Sequence, residues 1–226
     1  MTLSLIAADP AAGELGIVIA SSSPAVAARC AHIRPRIGVA ASQNVTDPRL
    51  GPALLDALQS GRDPQAALEE VRAAARDVEY RQLTVIDRSG AGAAWSGSGT
   101  LGVHGQRIGT GCVAAGNLLA SEEVLDALVS GFETTSGAPL TDRLLAALRA
   151  GARAGGEAGP LRSAGLLVSA AVDWPVVDLR VDDADAPVRE LERLWALYAP
   201  LREDYVTRAL HPNTAPAFGV PGDEDR

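Results

Sequence analysis

Residues 3–8 and 16–21 are apolar at nearly every position, and the segment DPAAGELG carries the chain from one run to the other. A strand that alternates apolar and polar residues hides one face, whereas a run without alternation must be covered on both. The Pro and Gly between the runs favour a turn, so the pair predicts a hairpin inside a layered fold. A third such run, IGVAASQN, follows Pro35. Aromatic residues make up only 4% of the chain, so the cover must come from Ala, Val, Leu and Ile.

After Asp47 and Pro48 the pattern changes to a helix over about residues 50–59, and Asp63-Pro64 opens a second, with cap and first-turn proline in favoured places. RQLTVID and GAGAAWSG flank Arg88-Ser89-Gly90 as another hairpin. CVAAGN is a short strand leading to a helix with Ser121 as its expected cap. A helix over 141–154, the strands SAGLLVSAAV and VVDLRV, and a helix over 187–198 complete the order. The glycine-rich SGSGTLG is expected to be a mobile loop.

Runs of strands thus alternate with runs of helices, which predicts an α+β fold of stacked antiparallel sheets with helices outside. The length suits one domain, drawn at residues 1–198, followed by a Pro- and Asp-rich tail over 199–226.

A net charge of −8 argues against nucleic acid and anionic membrane surfaces as partners. Every basic residue other than histidine is arginine. With no lysine, the α-amine is the one aliphatic amine available as a base. Cys30 and Cys112 are too few for a disulfide scaffold, and His32, His104 and His211 lack metal-ligand spacing, so neither metal nor cofactor is expected. No run suits a signal peptide or a membrane span, and the expected location is the cytoplasm.

The blocks TLSLIAADPAAGELGIVIASSS, IGVAASQNVTDPRLGPALLDAL, GTGCVAAGNLLASEEVLDAL and VVDLRVDDADAPVRELERL resemble, in order, those of the DUF1028 family, whose members resemble N-terminal nucleophile (Ntn) hydrolases. The resemblance implies a four-layer αββα sandwich. It also implies that Thr2, once Met1 is removed, is both nucleophile and, through its own α-amine, general base. Such an amine has a reference pKa of about 7.7–8.0 and is substantially neutral near physiological pH.

Further roles follow from the same resemblance. Gln43 would present its backbone N–H to an oxyanion, a contribution of about 2.7–4 kcal/mol. Asn117 would hydrogen-bond substrate, and Ser21, Asn44 and Ser163 would line the site. The amides of Gln43, Asn44 and Asn117 have an alternative use as caps of the following helices. Proteasome-type relatives carry an Asp where this chain has Ser21, and a Lys that it lacks. The implied function is hydrolysis of an amide in a small metabolite; separately, small-residue strands and Ala/Leu-rich helices predict apolar faces suited to a homo-oligomer. The alternative is a catalytically silent αββα protein that binds a small ligand or self-assembles.

Overall fold

The computed structural model describes residues 1–221. β1 (Thr2–Asp9) and β2 (Glu14–Ser21) form the expected hairpin, in register from Leu3 opposite Ala20 to Asp9 opposite Glu14. The Asp9 carboxylate shapes its turn by accepting from the N–H groups of Ala11 and Ala12, both at 3.1 Å.

After β2 come α1 (Val26–Cys30), β3 (Ala31–Arg34), β4 (Gly38–Asn44), α2 (Leu50–Gln59) and α3 (Pro64–Ala74). β5 (Arg81–Asp87), β6 (Gly92–Ser96), β7 (Gly105–Gly109) and β8 (Cys112–Asn117) follow. α4 (Glu123–Glu133), α5 (Leu140–Arg153), β9 (Ser163–Ser169), β10 (Pro175–Val181), α6 (Pro187–Tyr198) and α7 (Arg202–Leu210) complete the order.

The strands make a six-stranded sheet, β10-β9-β2-β1-β8-β7, and a four-stranded sheet, β3-β4-β5-β6. Neighbouring strands are antiparallel throughout. Three apolar layers separate the elements, and they account for strands without alternation. Leu3, Leu5, Val18 and Leu166 meet Leu128, Phe132, Leu144 and Leu191 of α4, α5 and α6. Ile6, Ile17 and Ile19 meet Val39, Ala41 and Ile86 between the sheets. Leu83 and Val85 meet Leu54, Leu58, Leu68 and Val71 of α2 and α3. The result is an αββα sandwich, as expected.

Asp63 caps α3 by accepting from the Ala66 N–H at 2.9 Å, as its sequence predicts. α4, in contrast, starts without a side-chain cap, so Ser121 does not fill that role.

Four elements were not legible in the sequence. α1 is five residues long, too short to show a period; it sits against β9, where a Cβ on Gly165 would lie 2.3 Å from the Ala27 Cβ. β3 and β7 are short and mostly half-buried, with no apolar run. α7 lies where composition predicts a tail, and none of its residues is fully buried. It is tied back by Arg202, whose guanidinium pairs with Glu14 at 2.7 Å. Residues 222–226 of that expected tail lie outside the described residues.

The SGSGTLG segment is held rather than free. The Thr100 hydroxyl donates to the Gly97 carbonyl at 2.8 Å, and the Gly99 N–H donates to the Glu79 carbonyl at 2.8 Å.

Candidate active site

Because side chains alternate along a strand, Thr2 and Ser4 share the inward face of β1 with Ile6. Pairing then assembles one row across the end of the larger sheet. Ser163 lies opposite Ser21, Thr2 lies opposite Asn117, and the β1–β2 register puts Thr2 beside Ser21. Thr2 is 4% exposed, and Ser21, Asn117 and Ser163 are fully buried. Polar groups at such depth are kept only if they are hydrogen-bonded.

The four-stranded sheet supplies partners from above. Ser4 donates to the Gln43 side-chain carbonyl at 2.8 Å, and the Gln43 amide donates to Gln82 Oε1 at 2.7 Å. Asn117 Nδ2 donates to that same oxygen at 3.1 Å. Gln82 Nε2 in turn donates to the Gly116 carbonyl at 3.0 Å and to Ser96 at 2.9 Å. Asn117 Oδ1 is buried without a partner.

Gln43 and Asn117 therefore join one network that reaches the row beside Thr2, and neither caps a helix. Asn44 does something else. Its φ is +72°, and its side chain bridges the Tyr80 carbonyl at 2.7 Å and the Leu101 N–H at 3.3 Å, bracing two loops.

On the other flank, Ser21 Oγ donates to the Met1 carbonyl, as does the Thr2 hydroxyl, and it accepts from the Ser23 N–H at 3.1 Å. Ser163 Oγ donates to the Ser23 carbonyl at 2.7 Å and accepts from the Val26 N–H at 3.2 Å. Arg29 closes this loop through Ser23 Oγ and the carbonyls of Pro24 and Ala25.

Two residues of the site escaped sequence reasoning. Gln82 carried one signal, a long polar side chain at an inward position of an otherwise apolar strand. Glu157 carried another, as the one charged residue within AGGEAGPL. It is 4% exposed, and both its carboxylate oxygens accept from the Ser22 N–H, at 3.0 and 3.2 Å. Burial pushes its pKa up, opposed by the hydrogen bonds from Ser22 and by the positive charge of the amino terminus.

Both cysteine thiols are buried and pushed up in pKa, Cys112 to about 12, through burial first and then the Glu133 carboxylate. Among the described residues no group of His, Cys, Asp and Glu could hold a metal, and no helix is long and apolar enough to cross a membrane.

Two stacked antiparallel sheets between helical layers, with a polar row at the buried start of β1, define an αββα protein with a candidate site at its chain terminus. The chain belongs to DUF1028, a family of unknown function, whose pattern matches residues 2–191. It is similar to the crystal structure of SPO2555 from Silicibacter pomeroyi, also of DUF1028, with 32% identity over 90% of this chain and 89% of that one, and a TM-score of 0.84. A weaker similarity is to Anbu (ancestral beta-subunit) from Yersinia bercovieri, 12% identical over 88% of this chain and 97% of that one, with a TM-score of 0.40. No curated protein matches the chain.

Proposed function

We propose that the protein is an Ntn-type amidohydrolase that cleaves an amide of a small metabolite, with Thr2 as nucleophile after Met1 is removed. The observation that supports this reading best is the burial of Thr2 in the row with Ser21 and Asn117, facing the Gln43–Gln82 network of the opposite sheet. A threonine that served only to start a strand would not require so many buried polar neighbours.

In the proposed reaction Thr2 Oγ1 attacks the substrate carbonyl carbon while the Thr2 α-amine takes the hydroxyl proton. The carbonyl oxygen becomes the oxyanion, for which we assign the Gln43 backbone N–H as donor. Collapse breaks the C–N bond and the leaving amine receives the proton, which leaves a threonyl ester. Water, deprotonated by the same amine, hydrolyses the ester and restores the hydroxyl. Asn117 Oδ1, buried and unpartnered, is the acceptor we assign to the substrate N–H. Ser21 and Ser163 shape the wall, and Asn44 supports the rim.

The test is acylation by a β-lactone probe. Intact mass should show loss of Met1 and one probe on Thr2; Thr2→Ala should remove labelling, and Thr2→Ser should keep part of it. Labelling that persists in Thr2→Ala, or maps to Cys112, overturns the reading in favour of a catalytically silent binding protein.

We also propose a homo-oligomer. Ile108 on the edge strand β7, and Leu101 and Val103 in the segment before it, stand exposed, apolar positions suited to a second copy. Light scattering should give a dimer or larger species, and a monomer at micromolar concentration counts against it.

A further inference from the structure

Glu157, 4% exposed, is the one buried Asp, Glu, Arg or His among the described residues. A carboxylate held so far from water is driven toward its protonated form unless a cation and donors offset the burial. Its hydrogen-bond donor is the Ser22 N–H. Arg29, the guanidinium of the adjoining loop, is already engaged with Ser23, Pro24 and Ala25.

The position of Glu157 in the fold shows which cation remains. Thr2 has two cross-strand neighbours, Ser21 and Asn117, and the chain just beyond each of them meets Glu157. Ser22 donates to its carboxylate, and Leu119 pairs with its backbone in an isolated antiparallel bridge. The next residue, Ala158, donates to the Leu118 carbonyl at 2.9 Å. Gly159 runs past Met1, where a Cβ would lie 3.6 Å from the methionine Cε. The segment from α5 to β9 thus closes over the start of β1, near enough for the charge of the amino terminus, that of Met1, to act on the carboxylate.

We infer that Glu157 is a positioning residue for the Thr2 α-amine, the carboxylate that orients it and stabilises the ammonium formed when it takes the hydroxyl proton. This inference rests on the reading of Thr2 as nucleophile. The amino terminus is the charged group that acts on Glu157; it acts also on the Cys30 thiol, as does Arg29, and burial pushes that thiol up. In a chain without lysine, the terminal amine is the one aliphatic amine that an acylating reagent can find.

The absence of lysine makes the experiment direct. A fusion cut immediately before Thr2 yields the free terminus, and the rate of its modification by acetic anhydride, read by mass, is followed against pH. In Glu157→Gln the profile should move to lower pH, because a nearby carboxylate favours the charged amine. Glu157→Asp should restore part of the wild-type profile. Coincident profiles for wild type and Glu157→Gln, with both proteins natively folded by thermal melting, overturn the inference. A shifted profile without β-lactone labelling would sink the hydrolase reading alone; labelling with coincident profiles would sink the role of Glu157 alone.

Discussion

Gln43 and Gln82 face one another across β4 and β5, and the amide of the first donates to the carbonyl of the second at 2.7 Å. That carbonyl also receives Asn117 from the other sheet, at 3.1 Å. One side chain thus joins the two sheets beside the candidate nucleophile, and the position of Asn117 depends on it.

Replacing Gln82 with Leu should leave the Gln43 and Asn117 amides without their shared acceptor and remove the side-chain donor to the Gly116 carbonyl. Each buried unmet group costs about 1–3 kcal/mol, partly relieved by relaxation. Urea unfolding should show a loss of about 2–4 kcal/mol, against about 1 kcal/mol or less for Ser96→Ala at the half-buried end of the network. Equal losses for the two would remove Gln82 from its central place.

The pH dependence of stability gives a second prediction. Because burial raises the folded-state pKa of Glu157 above its ordinary 4.5, the favourable contribution of the protonated group is complete below that value. It is lost as pH rises through the raised folded value. Glu157→Gln cannot ionise, so its melting temperature should gain on that of the wild type between pH 4 and pH 8. Parallel melting curves across that range would contradict the burial argument.

The cysteines should be silent in the native protein. With the Cys112 pKa at about 12, roughly one thiol in ten thousand is ionised at pH 8. Iodoacetamide at pH 8 should modify neither Cys30 nor Cys112 until denaturant is added. Rapid alkylation of Cys112 in the folded state would reopen the question of which residue a β-lactone labels.

A last prediction concerns the joint between α2 and β3. A Cβ on Gly51 would lie 2.0 Å from the His32 ring, so Gly51→Ala should destabilise by about 1–3 kcal/mol despite the better helix propensity of Ala. Removing the ring in His32→Ala should erase that penalty in the double variant, as a thermodynamic cycle would show.

Much of this architecture was legible locally. Unbroken apolar runs at residues 3–8 and 16–21 require cover on two faces, and the Asp63-Pro64 pair starts α3 by chemistry that acts within one turn. Thr2 could be picked out because it directly follows Met1 and the resemblance to DUF1028 gives that position the nucleophile, whatever pairs with β1. Glu157 and Gln82 could not, since their meaning depends on strand order. Ser22 is 135 residues from Glu157, and Asn117 is 35 residues from Gln82. Periodicity reports which face of an element is buried, because that is decided over a few residues. Which polar groups share that buried space is decided only when β8 pairs with β1 and the smaller sheet stacks over them.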